Sequence, residues 1–233
     1  MFKQLLKILK SGTLLDQAYR QSYEMLDLTF EMFLEAKKSL RETEGIPSEI
    51  DISKMDSKVN KFERKVRRKV FQHLTIAGPE NLYSGLVLAS IIIDIERVGD
   101  YTKNIVELAS NFPQKLTHSE EEEELARIET SIEDIFRRVR RDFEQGDSKD
   151  TEDLLRKYIW INPLCDEKVL NYVTGSHPET TVSTAVAIAM YFRYLKRINS
   201  HLQNIATSIV NPFDKIGFLP KDIKKEMKGK EEI

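Results

Sequence analysis

An all-α fold built from long helices follows from three features: apolar residues recur at helical spacing along most of the chain, no stretch alternates with period two, and turn-forming residues are scarce. Nine glycines and seven prolines in 233 residues leave few places to reverse the chain, so the elements must be few and long. Hydrophobic residues at 40% and charged residues at 32% describe a globular protein whose helices carry charged outer faces. The length allows one or two domains with a full core.

Each element has a local cause. The first helix runs from about Leu14 to Leu40, with Tyr19, Tyr23, Leu26, Phe30, Phe33 and Leu34 along its inner side, and Gly45-Ile46-Pro47-Ser48 breaks the pattern. The second starts near Asp51 or Ser53 and reaches Leu74, burying Met55, Val59, Phe62, Val66, Val70 and Leu74 before Gly78-Pro79. The third spans about Asn81 to Asn111, repeats Ile91, Ile95, Val98, Ile105 and Leu108 on one side, and stops before Pro113. The fourth begins after Ser119, a suitable N-cap, because the acidic run Glu120 to Glu124 complements the positive end of a helix. It ends at Gly146. A fifth region, Thr151 to Val173, should break or kink at Asn162-Pro163, where proline removes a backbone donor. Residues Gly175 to Pro178 then turn the chain into a sixth helix reaching about Val210. The Lys-rich tail after Pro212 is expected to be loosely held.

Three helices are thus followed by three more. At an offset of 100, Ala89, Arg97, Asn104 and Ile105 meet Ala189, Arg197, Asn204 and Ile205; at 110, Asp56, Lys58 and Val59 meet Asp166, Lys168 and Val169. Matching helix order and these identities favour an internal duplication into two tandem three-helix bundles. The expected boundaries are 1–113 and 114–212, with 213–233 as a charged tail.

Composition narrows the function. A net charge of −2 does not predict nucleic acid as a partner, and the basic blocks Lys61 to Lys69 and Arg137, Arg138, Arg140 and Arg141 lie on amphipathic helices without interleaved stacking aromatics. They read as solvated or partner-facing surfaces. The single cysteine, Cys165, excludes an intrachain disulfide and lacks the signature of a nucleophile. The longest apolar runs, Leu86 to Ile93 and Ala185 to Phe192, fall short of the roughly 20 residues a bilayer needs. The opening residues interrupt their apolar positions with lysines, unlike a secretion signal, so a cytoplasmic location is expected.

Chemistry concentrates in the third helix. Glu96 and Asp100, four residues apart, share a face with Cβ atoms roughly 5–6 Å apart, where two ionised acids repel each other. Either a neighbouring cation such as Arg97 or Lys103 neutralises them, or a metal does. Carboxylates select hard cations, and a metal usually requires more than two of them, so a second helix must contribute. Asp56, Asn60 and Glu63 lie on one face of helix two at i, i+4 and i+7. The competing reading is an ordinary set of surface ion pairs with Arg97, Lys103 and Arg64. The four histidines, His73, His118, His177 and His201, read as turn or surface residues rather than ligands, and none follows a carboxylate at the Glu-x-x-His spacing of di-iron bundles.

Glu96-Arg97-Val98-Gly99-Asp100, followed by Asn104-Ile105, resembles the Glu/Asp-x-x-x-Asp signature of the PhoU family of phosphate-uptake regulators. The resemblance covers nearly the whole chain through the two-bundle pattern. It implies a metal site of Asp56, Glu63, Glu96 and Asp100, with Asn60 and Asn104 supporting the ligands from behind, and iron, manganese, magnesium or zinc as the bound ion. It further implies a non-catalytic negative regulator of phosphate transport and homeostasis. Such a protein would dock on a phosphate transporter subunit or a phosphate-sensing histidine kinase, reach the membrane only through those partners, and form a homodimer. The second repeat departs from the signature: Lys196, Asn199 and Ser200 stand where the first has Glu96, Gly99 and Asp100, so no complete site is expected there. A metal-carboxylate oxidase or hydrolase, and a plain helical scaffold, are the alternative readings.

Overall fold

The computed structural model describes residues 12–44, 51–77, 79–112, 114–117 and 120–225. Seven α-helices appear among them: α1 Leu14–Arg41, α2 Ile52–Ala77, α3 Leu82–Asn111, α4 Glu122–Gln145, α5 Ser148–Lys157, α6 Ile161–Val173 and α7 Val182–Val210. Helices α1, α2 and α3 pack on one another; α4, α5 and α6 pack around α7. The two bundles meet where α3 lies against α7 and α1 against α4. Helix α2 stays on the outside of the first bundle, and the α5–α6 pair on the outside of the second.

Local signals explain the ends. Thr13 and Asp16 form a reciprocal cap on α1: the Asp16 N–H donates to Thr13 Oγ1 at 3.2 Å, and the Thr13 N–H to Asp16 Oδ2 at 2.7 Å. Gly146 closes α4 at a φ of 71°, in the left-handed region a side chain disfavours, and its N–H donates to the Asp142 carbonyl at 2.7 Å. Ser119, the N-cap expected for α4, lies outside the described residues, and Glu121 occupies the cap position. The break expected at Asn162-Pro163 falls a few residues earlier, between Lys157 and Ile161. Pro163 sits in the first turn of α6, where its missing N–H would have had no helical partner.

One continuous core runs through both bundles and includes Leu26, Met32, Phe33, Val59, Ile95, Val98, Ile135, Phe136, Phe192 and Leu202. Phe30 and Phe33 of α1 pack on Phe136 of α4 with ring centroids 5.0 and 5.6 Å apart. A polar lock crosses the same interface. Arg41 Nε of α1 donates to Glu129 Oε1 of α4 at 3.0 Å, and the Tyr191 hydroxyl of α7 donates to the same oxygen at 2.7 Å. Lys37 of α1 reaches Glu133, one turn further along α4, at 2.6 Å. Arg41 also donates to the Leu116 carbonyl, and the Leu116 N–H returns to the Leu40 carbonyl at 2.9 Å, pinning the α3–α4 connection over the end of α1.

The chain after Pro212 is not loosely held as far as residue 225. Ile223 is fully buried, the Gly217 N–H donates to Thr207 Oγ1 at 2.8 Å, and Asn211 Nδ2 donates to the Lys215 and Phe218 carbonyls. Arg156 of α5 bonds Asp222. The apolar residues Ile216, Leu219 and Ile223, spaced among the lysines, bury the segment against the core.

The lock has a measurable signature. Breaking a buried pair from one side leaves an uncompensated charge, so Glu129→Ala or Arg41→Ala alone should cost about 3–5 kcal/mol in urea unfolding. The paired change Arg41→Met with Glu129→Leu should cost much less; a double variant as unstable as the sum of the singles would refute the coupling.

Candidate metal site

Helix periodicity separates inner from outer faces on α2 and α3. Val59, Val66 and Val70 of α2 point into the core, and this turns Asp56, Asn60 and Glu63 onto a half-buried flank beside α3. On α3, Ile95, Val98 and Gly99 face inward while Glu96, Asp100 and Lys103 occupy the flank. Gly99 allows close approach: a Cβ there would sit 3.4 Å from Val59 Cγ1 and 3.6 Å from Thr29 Cγ2, at the limit of ordinary contact.

The four acids share one electrostatic neighbourhood. Burial pushes the Glu96 carboxyl above its ordinary range; Asp100, Glu63 and Asp56 push it the same way, and Arg97 opposes them. Burial also raises Asp56, which Lys103 pulls down and Asp100 and Glu107 push up. Glu107, one turn beyond Lys103, is therefore a member of this acidic field that the five-residue signature did not reveal.

Cations border the field. Arg97 donates to Asp100 Oδ2 at 2.9 Å and lies 3.7 Å from Glu96 Oε2, Arg67 reaches Glu63 at 3.0 Å, and Lys103 stands 3.8 Å from Asp56. Asn60 Nδ2 donates to Asp56 Oδ2 at 3.3 Å. Asn104 lies half-buried one turn past Asp100. Arg64, expected to pair with the acids, donates instead to the Asn60 carbonyl. Among the described residues, the four acids do not form a group whose ligand atoms all lie within 4.8 Å of one another. Closing on one ion would require rotamer changes that release Arg97 and Arg67.

The second bundle resolves the equivalent position differently. Lys196, at the place of Glu96, bonds both oxygens of Asp166, at the place of Asp56. An ammonium thus stands where the first bundle gathers acids. The arginines of α4 are likewise engaged internally: Arg137 with Glu133 at 3.0 Å, Arg138 with Asp150 at 2.9 Å, Arg140 with Asp27 at 3.0 Å and Arg141 with Asp142 at 2.9 Å. Arg137 and Arg141 remain about half exposed beside these partners, as a solvated surface would have them. Two histidines depart from the expected turn or surface setting. His73 is buried in α2, and His201 of α7 bonds Asp94 of α3 through Nδ1 at 2.8 Å, beside the Asn204 amide, which donates to the same oxygen. His118 lies outside the described residues. Only the fold shows these pairings, because their members are far apart in sequence.

Helix order and the acidic flank define a tandem three-helix-bundle protein with a carboxylate-rich face on its first bundle. Residues 21–109, from α1 through α3, match the PhoU domain model. No curated protein sequence matches it. Two crystal structures share the fold. PhoU from Pseudomonas aeruginosa aligns over 84% of this chain and 95% of its own, with a TM-score of 0.68 and 19% identity. The phosphate transport system regulatory protein PhoU from Streptococcus pneumoniae aligns over 89% and 97%, with a TM-score of 0.69 and 14% identity.

A carboxyl raised by folding binds its proton more tightly in the native than in the unfolded state, so its ionised form costs stability. That cost is absent below the ordinary carboxylate range and complete above the raised folded value. Glu96→Gln should therefore raise the thermal midpoint of metal-free protein at pH 7 by about 1–3 °C and leave it unchanged near pH 4. A lowered midpoint at pH 7 would show that Arg97 already neutralises the site.

Proposed function

We propose that the protein is a non-catalytic, metal-binding regulator of phosphate uptake. It acts in the cytoplasm as a homodimeric adaptor that restrains a phosphate transporter subunit, its phosphate-sensing histidine kinase, or both. The observation that carries this reading is the acidic flank inside the region matched by the PhoU model, where Asp100, Glu63 and Asp56 add to the cost of ionising Glu96, and Asp100 to that of Asp56. The regulatory role follows the description of the Streptococcus pneumoniae relative as a phosphate transport system regulatory protein. Among the described residues no helix is long and apolar enough to cross a membrane, consistent with attachment through partners.

The donor set fits a hard or borderline dication such as iron, manganese, magnesium or zinc. A bound ion would supply the positive charge that offsets four crowded carboxylates. Asp56 and Glu63 would hold it from α2 and Glu96 and Asp100 from α3, with Asn60 steadying Asp56. The tie between α2 and α3 would stiffen the outer face of the first bundle for docking. A surface role also agrees with Cys165, whose thiol is fully buried and pushed up to about 12 by that burial, which makes it a poor nucleophile.

Elemental analysis of untagged protein beside the Glu96→Gln/Asp100→Asn variant tests the metal. We expect the parent to hold one metal ion per chain more than the variant, and to gain more in thermal midpoint when metal is added. Equal metal content in both proteins, or none in either after reconstitution with iron, manganese and zinc, would remove the metal from the proposal. Co-purification with the transporter subunit and with the kinase tests the adaptor role separately, and failure to bind either would overturn it.

A further inference from the structure

At the far end of the second bundle, the turn between α6 and α7 folds back on the start of α4. His177 in that turn places Nδ1 3.1 Å from Glu120 Oε2 and 4.0 Å from Glu179 Oε1. These three residues offer one imidazole nitrogen and two carboxylate oxygens that all lie within 4.8 Å of one another. Donors about 2.0–2.2 Å from a tetrahedral zinc stand roughly 3.3–3.5 Å from each other, so small movements of two exposed glutamates would close the set. The acidic flank of α2 and α3 offers no comparable convergence among the described residues.

The imidazole is held in place. Its ring stacks on Tyr172 with centroids 4.5 Å apart and planes 22° apart. On its other side, Nε2 lies 3.7 Å from Glu121 Oε1, whose carboxylate is 1% exposed and is anchored by Lys168 at 2.9 Å. The Glu121 carboxylate adds negative charge behind the ring, which favours a cation on Nδ1. The surroundings are strongly negative: Lys168 is already shared between Glu121 and Glu124, leaving Glu120 and Glu179 without its charge. The Tyr172 phenol reports the same field, raised first by burial and then by Glu121 and Glu120.

We propose that Glu120, His177 and Glu179 bind a first-row divalent cation, zinc above all, which clamps the α6–α7 turn to the start of α4. Mixed nitrogen and oxygen donors favour zinc over magnesium or calcium, and three protein ligands leave a position for water. This site is separate from the α2–α3 acids and needs nothing from them.

The test uses the full chain in the Glu96→Gln/Asp100→Asn background, stripped with chelator and titrated with zinc by calorimetry, with cobalt absorption reporting ligand geometry. One zinc per chain should remain in that background. His177→Gln should weaken zinc at least about tenfold and abolish the intense visible bands of low-coordinate cobalt, with Glu120→Gln and Glu179→Gln each weakening it as well. Circular dichroism confirms that each variant folds. Absence of zinc binding in the folded background protein, or binding unchanged by His177→Gln, would overturn the proposal, and neither result bears on the α2–α3 site.

Discussion

Glu129 accepts hydrogen bonds from Arg41 and Tyr191 in a nearly dry interior, and the relation between the two bundles depends on this three-helix contact. Burial pushes the Glu129 carboxyl up, and Arg41, Tyr191 and Lys37 pull it back down, so its charge is tolerated only while those donors stay in register. The apolar residues of α1, α4 and α7 would stabilise many neighbouring registers almost equally. A buried carboxylate tolerates few, because sliding α4 along α1 strands a charge without partners. The aromatic contacts of Phe30 and Phe33 with Phe136 fill the space around that register.

The second meeting point, α3 against α7, is wetter and uses the repeat against itself. Asp94 accepts from His201 and Asn204, and Arg197 donates to Tyr101 at 3.0 Å. Arg197 and Asn204 are the counterparts of Arg97 and Asn104, which face the acidic flank of the first bundle instead. Positions matched at an offset of 100 thus differ in setting, Arg197 and Asn204 at the junction and Arg97 beside the acidic flank. The exchange of Glu96 for Lys196 belongs to the same divergence: an internal ion pair with Asp166 satisfies in one bundle what clustered acids leave unsatisfied in the other.

In the first bundle the acids stay crowded although Arg97, Arg67 and Lys103 border them. Helical spacing compels Asp56, Glu63, Glu96 and Asp100 to share a flank once Val59, Val66, Ile95 and Val98 are buried, so the acids cannot avoid one another without unpacking the core. The same logic applies at the opposite end of the molecule, where burial of Glu121 behind His177 concentrates negative charge beside the α6–α7 turn. In both places packing gathers acidic groups whose ionised forms repel one another.

Helix periodicity in the sequence was enough to place α1, α2, α3, α4 and α7 within a few residues of their ends, because apolar spacing, caps and breakers are local properties. It also put Asp56 with Glu63, and Glu96 with Asp100, on one face of their own helices, since i, i+4 and i+7 relations need no knowledge of the partner helix; that the two faces meet came only from the family resemblance. It misjudged what depends on distant neighbours. The tail was expected to be loose because its lysines are conspicuous, whereas the packing that buries Ile223 exists only after folding. The partners of the α4 arginines were not foreseen, because Asp27, and the α5 residue Asp150, are brought to them by packing alone. His177 and Glu120, 57 positions apart, share no local pattern. What the sequence by itself determined is which side of each helix is buried. Only the tertiary structure decided which charges meet, because ion pairs and ligand sets form between elements that the chain brings together last.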